Sequence, residues 1–270
     1  AHVRKVNPEA VLIGELWHDG SPYFGGRAVD AQMNYPFAYA VTAWLGRDPT
    51  FTSNQLRNDL LALYTHHPAT DLAQMNLIGS HDTARAVSML ANPGFEYDRT
   101  SDSFDTSQPE DESYDRLVLA AVIQTVAPGS PMIYAGDELG MFGGDDPANR
   151  KPLPWTRAPK PELAERLARW YRLRTDKELG LPLRFGMVRF PINPDPDIFI
   201  IERRLNSQIV QVWINRADRA RELGGVGLGP VRIAPRAAIV LVGDAGSPAL
   251  KPWRPYHSKE LPKSNDTIRP

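Results

Sequence analysis

The 270-residue sequence contains no cysteine, which excludes disulfides and thiolate metal sites and fits cytosol and export equally well. It also lacks an excess of either charge. With 31 basic against 32 acidic residues and a formal net charge of −1, no long-range field draws the chain to nucleic acid or to an anionic membrane surface. No stretch approaches the run of about 18 apolar residues that a membrane helix requires. The opening AHVRKVNPEAVLIGELW has no signal-peptide layout and reads instead as an element already under way, so the compartment stays unassigned. Gly-rich phosphate turns and repeats of fixed period are missing as well. What is present is 42% apolar and 9% aromatic residues, enough for a substantial core in one large domain or two smaller ones.

Val11 to Trp17, VLIGELW, is an apolar run containing one carboxylate, the pattern of a parallel strand buried on both faces. DAQMNYPF (30 to 37), QMNLIGSHD (74 to 82) and SPMIYAGDE (130 to 138) repeat that design, with polar groups near one end. Between them LRNDLLALYTHH (56 to 67), YDRLVLAAVIQTVA (114 to 127) and ELAERLARWYRLRTDKEL (162 to 179) carry helical periodicity. Strands alternating with helices predict an α/β fold with a parallel sheet. Functional groups gathered at strand C-termini favour a (β/α)8 barrel over the alternative, an open doubly wound sheet. After residue 182 the runs LRFGMVRF, DIFIIERRL, SQIVQVWINRA and VRIAPRAAIVLVG predict a small antiparallel β domain over 183–243. The tail, 244–270, has five prolines and little periodicity and is expected to be extended or disordered. The acidic stretch 92–113 shows no hydrophobic pattern and is expected to be a disordered loop on the active-site face of the sheet. Trp44, Trp155, Trp170 and Trp213 are expected in the core.

An acid at the mouth of a dry strand suits general-acid work, which makes Glu15 in GELWH a candidate, although a solvated or salt-bridged carboxylate fits the same position. In NLIGSHDT the His81 imidazole and Asp82 carboxylate emerge together from a strand end. They are suited to binding vicinal hydroxyls or, alternatively, to capping the next helix.

Taken in order, GELWH, DAQMNYPF, NLIGSHDT, GSPMIYAGDELGM and GGDDPANRKPLPW closely resemble the motifs of the α-amylase family, glycoside hydrolase family 13, over about residues 5 to 180. The SHDT form and the DPANRKP loop resemble its neopullulanase, cyclomaltodextrinase and maltogenic amylase branch. The resemblance implies that Glu15 is the acid/base and that Asp82 binds ring hydroxyls and stabilises the transition state, with the matched His81 beside it. It implies that Asp145 and Arg150 hold sugar on the non-reducing side of the cut, and that Trp17 and His18 line the acceptor side, where Trp17 can stack on a sugar face. Tyr134 and Asp137 either belong to the site or brace the barrel. Ala84 departs from the proline expected after HDT.

On that resemblance residues 1–182 are expected to be the C-terminal half of a TIM barrel, strands 5 to 8. The family's nucleophilic Asp, in a GxRxDxxxx segment some 30 residues before the acid, is absent, since only 14 residues precede Glu15. Retaining hydrolysis needs two carboxylates about 5 to 5.5 Å apart. The expected partner is therefore an N-terminal half-barrel, from the same precursor or a separate chain, with a homodimer as the lesser alternative. The intact enzyme is expected to hydrolyse α-1,4 bonds, with α-1,6 bonds as a further class, in maltodextrins, cyclodextrins or pullulan with retention, or to transglycosylate. The chain alone is expected to be inactive, a carbohydrate-binding or assembly piece. No cofactor is expected; Asp145 and Asp146 suggest calcium, an oxygen-seeking ion, but without the spacing of a calcium loop.

Overall fold

A computed structural model describes residues 2–25, 28–64, 68–97, 103–225, 228–247 and 249–253. A short helix, α1 (His2–Val6), leads into β1 (Ile13–Leu16) and β2 (Ala31–Asn34). Helices α2 (Tyr35–Thr42), α3 (Ser53–Tyr64) and α4 (Pro68–Ala73) follow, then β3 (Met75–Asn76), α5 (Ala86–Ala91), α6 (Asp111–Val126) and β4 (Ser130–Pro131). The four strands form one parallel sheet in the order β1-β2-β3-β4. Because every pair is parallel, the segments leaving the four strands emerge on the same edge of the sheet.

The strands are shorter than their apolar runs. DAQMNYPF divides at Asn34, whose side chain accepts from the Phe37 N–H at 3.3 Å and caps α2, with Pro36 in its first turn. VLIGELW is not dry: β1 pairs with β2 alone among the described residues, Glu15 is exposed, and Val11 is 68% exposed. The expectation of a strand buried on both faces fails there, because an edge strand has a neighbour on one side only.

The buried centre is α6. Asp111 and Glu112 place acid in its first turn, where the helix dipole favours it. From Leu117 to Val126 all its side chains are buried. Its C-terminal carbonyls would be left without partners inside the protein, and two arginines reach them, Arg203 fully buried and Arg174 half-buried. Arg174 donates to the carbonyls of Thr125 (2.9 Å) and Gly129 (2.6 Å), and Arg203 donates to that of Val126 (2.7 Å). Gly129 sits at φ +97°, and a Cβ there would lie 2.5 Å from the Gln74 carbonyl oxygen.

After α7 (Leu163–Tyr171) and α8 (Gly180–Phe185) come β5 (Met187–Arg189), β6 (Ile198–Leu205), β7 (Gln208–Asn215), β8 (Arg221–Gly225), β9 (Leu228–Ile233), β10 (Ala237–Asp244) and β11 (Lys251–Pro252). Five make an antiparallel sheet in the order β11-β10-β7-β6-β5, and β8 with β9 forms a separate ribbon. The β6–β7 turn is two residues long, with Asn206 at φ +54°. Along β6, Phe199 and Ile201 face the helices while Ile198 and Ile200 join Trp213 and Ile233 in a second cluster, so the run IFII is apolar throughout because both faces are covered. The main cluster continues unbroken from Tyr35 and Trp44 through α6 to Phe199, Val212 and Val240, so helices and antiparallel sheet share one core.

Trp44, Trp170 and Trp213 are buried, whereas Trp155 is 85% exposed, in an irregular stretch that nothing packs against. In the acidic stretch, Tyr97 and Phe104 are buried and Asn92 exchanges hydrogen bonds with the Asp105 backbone, so the described part is packed rather than disordered; 98–102 lie outside the described residues. Of the 244–270 segment, β11 adds an edge strand to β10, and 254–270 lie outside the described residues. Among the described residues no helix is long and apolar enough to cross a membrane.

Candidate active site

The sheet edge where the strands end carries the residues that the motifs single out. Glu15, on β1, meets His81 and Asp82 from the turn after β3, and donor atoms of all three lie within 4.8 Å of one another. The backbone bends sharply there: the Thr83 hydroxyl accepts from the Ser80 N–H at 3.0 Å, and the Ser80 hydroxyl accepts from the Asp82 N–H at 3.1 Å. That turn projects both the imidazole and the carboxylate from a floor in which Ser80 and Thr83 are fully buried.

Both oxygens of Asp82 are engaged. Arg150 donates to Oδ1 at 3.0 Å, and His81 Nε2 lies 3.3 Å from Oδ2. Arg150 also holds Asp146, with Nε 2.9 Å from Oδ1. All four side chains are well exposed, so these pairs orient the groups more than they stabilise the fold. Asp145 is half-buried in the same turn, where its carbonyl accepts from the Asn149 N–H at 3.2 Å. Asp145 and Asp146 belong to no group of three His, Asp or Glu donors close enough for a cation among the described residues; the triad that does is Glu15, His81 and Asp82, the same atoms that proton transfer and hydroxyl binding would use.

On the other flank Trp17 lies flat on Tyr35, with ring centroids 4.0 Å apart and planes at 14°, so only its opposite face remains for a sugar. His18 is exposed and enters the structure through its carbonyl, which accepts from Gln32 Nε2 at 3.3 Å. The fold therefore brings together Glu15, His81, Asp82, Arg150 and, through Tyr35, Trp17. His18 and Asp145 sit on the neighbouring loops.

Three residues that support this arrangement carry no role in the sequence reading. Asn149 is fully buried, and its Nδ2 donates to the carbonyls of His81 and Thr83, both at 2.7 Å, clasping the Asp82 turn from the loop after β4. It stands one position before Arg150, and the motif DPANR was its available signal. Arg85, 2% exposed, pairs with Asp137 at 3.0 Å, lies over the Tyr134 ring at 4.2 Å, and donates to the Ala135 carbonyl at 2.8 Å. Burial pushes the Asp137 carboxyl up to about 6 even with the guanidinium beside it. Of the two readings of Tyr134 and Asp137, these contacts are those of a brace. The third is Tyr35, whose hydroxyl lies 3.2 Å from Glu15 Oε1 and 2.9 Å from Ser80 Oγ. Burial raises the pKa of that hydroxyl above the ordinary tyrosine value, so it stays neutral.

Residues 1–176 match the family described as alpha amylase, catalytic domain. The sequence is 29% identical over 223 residues to a cyclomaltodextrinase of Geobacillus thermopakistaniensis (strain MAS1), covering 82% of this chain and 34% of that protein. It is 35% identical over 153 residues to a cyclomaltodextrinase of Thermoanaerobacter pseudethanolicus, covering 57% of this chain and 23% of that one. The fold superposes on the ligand-free cyclic alpha-maltosyl-(1→6)-maltose hydrolase of Arthrobacter globiformis with a TM-score of 0.74 at 21% identity, over 90% of this chain and 51% of that structure. The chain thus spans about a third of the length of the first relative and about half of the solved structure.

Proposed function

The chain belongs to the α-amylase family, and from that premise we propose that it forms part of a retaining α-glucan hydrolase with Glu15 as acid/base. One observation carries the reading: a carboxylate on β1 and an imidazole–carboxylate pair from the turn after β3, remote in sequence, converge within 4.8 Å beside Arg150. Glu15 protonates the leaving glycosidic oxygen, then takes a proton from the water that opens the glycosyl-enzyme. Asp82, already polarised by Arg150 and His81, accepts hydrogen bonds from ring hydroxyls and offsets the positive charge that develops on the sugar. The substrates are maltodextrins, cyclodextrins or pullulan, cut at α-1,4 bonds with α-1,6 bonds as a further class.

With both its oxygens engaged, Asp82 is poorly placed to be the nucleophile as well. We assign that role to a carboxylate on further strands, from the same precursor or from a second chain, a homodimer being the alternative. On this reading β1 to β4 are strands 5 to 8 of a barrel. Open strand edges support it: among the described residues β1 and β4 each pair on one side only, and Val11 and Ile133 are 68% and 44% exposed. A second reading, for the 270 residues by themselves, is a sugar-binding piece without turnover, and the engagement of Asp82 favours it.

The experiment is Glu15→Gln in the polypeptide that carries the full barrel. Loss of general acid–base help is expected to lower maltotriose cleavage by about 10² to 10⁴. Wild-type rates would reject the assignment. Calorimetry of the isolated chain with acarbose separates the two readings: binding without turnover is expected, and robust turnover by this chain alone would overturn the need for a partner.

A further inference from the structure

Resting on Glu15 as acid/base, we propose that Tyr35 is a positioning residue that ties the proton donor to the Asp82 turn through a chain of hydrogen bonds. The chain runs from Glu15 Oε1 to the Tyr35 hydroxyl (3.2 Å), on to Ser80 Oγ (2.9 Å), and from there to the Asp82 N–H (3.1 Å). It joins groups from three separate segments and ends at the two carboxylate-bearing positions of the site.

Glu15 needs such a tether more than its neighbours do. It is exposed, stands on a strand paired on one side, and carries a side chain with several free torsions that must be ordered before it can meet a glycosidic oxygen. Tyr35 has the opposite character. It opens α2, is fully buried, and its ring is fixed by the Trp17 stack and by the edge of Tyr97, 6.5 Å away at 84°. Tyr97 is in turn anchored, its hydroxyl donating to the Ile78 carbonyl at 2.6 Å. The Tyr35 oxygen is therefore a fixed point beside a mobile acid.

One hydroxyl serves both half-reactions. While Glu15 is ionised, the phenol donates to the carboxylate and accepts from the Ser80 hydroxyl. When Glu15 carries the catalytic proton on Oε2, the oxygen free to face the leaving group, Oε1 still accepts from the phenol, so the tether is kept. No proton is gained or lost by Tyr35, because burial keeps the phenol neutral.

The test compares substrates whose leaving groups differ in their need for a proton. In the full-barrel polypeptide, Tyr35→Phe keeps the stack and the ring contacts and removes only the hydroxyl. kcat/KM, which reports formation of the glycosyl-enzyme, is expected to fall about tenfold on maltotriose, the size of one charge-assisted hydrogen bond. On α-maltosyl fluoride, whose leaving group departs unprotonated, the loss is expected to be less than about twofold. Ser80→Ala cuts the same chain one link further on; because it also frees the Asp82 N–H it is expected to add a loss common to both substrates, with the fall on maltotriose still the larger, which keeps the test available should Tyr35→Phe not fold. Glu15→Gln is the reference, with the same selectivity at larger amplitude. If Glu15→Gln is selective while Tyr35→Phe and Ser80→Ala lose nothing, or lose equally on both substrates, the positioning role is overturned and the acid/base stands. If Glu15→Gln cleaves maltotriose normally, both fall.

Discussion

Replacing Asp137 by Asn should remove a specific pH dependence from the stability of the protein. Asp137 is 7% exposed and faces Arg85 at 3.0 Å, the neighbouring Glu138, and the backbone at Gly79. Burial raises its carboxyl from 3.8 to about 6, with Arg85 opposing the rise and Glu138 adding to it. Between those two values the folded state holds a proton that the unfolded chain has released, so stability falls as pH rises through the window and levels off above about 6. A shift of about two units corresponds to about 3 kcal/mol, at about 1.4 kcal/mol per unit. Other carboxylates titrate in the opposite sense: Asp30, held down first by the Leu12 N–H and then by Arg4, contributes stability that is lost as pH falls. The measurement must therefore be the difference between wild type and Asp137→Asn, obtained from urea unfolding followed by circular dichroism at pH 4, 5, 6 and 7. Leaving a guanidinium opposite an amide adds a constant offset to the variant, since that group type does not titrate in this range. Over pH 4 to 7 the wild-type advantage should shrink by about 2 kcal/mol, the rest of the shift being expressed only below pH 4. A difference that is flat across the window, or that grows with pH, would refute the burial argument.

Asn149→Ala strips the donor from two backbone carbonyls, that of Thr83 buried and that of His81 part-buried, and should cost about 2 to 4 kcal/mol in the same unfolding assay. Gly129→Ala sets a Cβ 2.5 Å from the Gln74 carbonyl oxygen at φ +97°, and should lower stability by at least about 2 kcal/mol, read as a fall in the thermal midpoint.

The parts of this fold that were plain in the sequence are those where one periodicity acts alone. The pattern of α6 survives because its neighbours cover it almost completely, and the β6 run reads as strand because both faces of that sheet are packed. The misread parts are those where two signals meet. In DAQMNYPF the Asn34 cap ends the strand before the apolar run ends, so a helix begins inside what looked like one strand. Nothing about Trp155 as a residue type tells it from Trp44; one sits where helix and sheet converge, the other where no element packs. The site was legible as a set of positions, since Glu15, His81, Asp82 and Arg150 do come together. Its supports were not, because Asn149, Arg85 and Tyr35 act through hydrogen bonds to groups 20 to 70 positions away, and no local pattern encodes such a distance.

The two sides of the site are built with unequal rigidity, and the inequality bears on how it is completed. The Asp82 turn is closed by its own Ser80 and Thr83 hydroxyls, clasped from outside by Asn149, and backed by the Arg85–Asp137 pair, all of them buried. Among the described residues, Glu15 has one strand neighbour and one side-chain hydrogen bond, to Tyr35. Local opening is cheapest where buried contacts are fewest, which places the β1 edge at the low end of stability and the Asp82 turn at the high end. A strand added beside β1 would bury that edge and restrict Glu15 without disturbing the turn. The proposed proton donor is thus the element most dependent on the proposed neighbouring strands, and on the same proposal its tether to Tyr35 keeps it registered with Asp82 before they are in place.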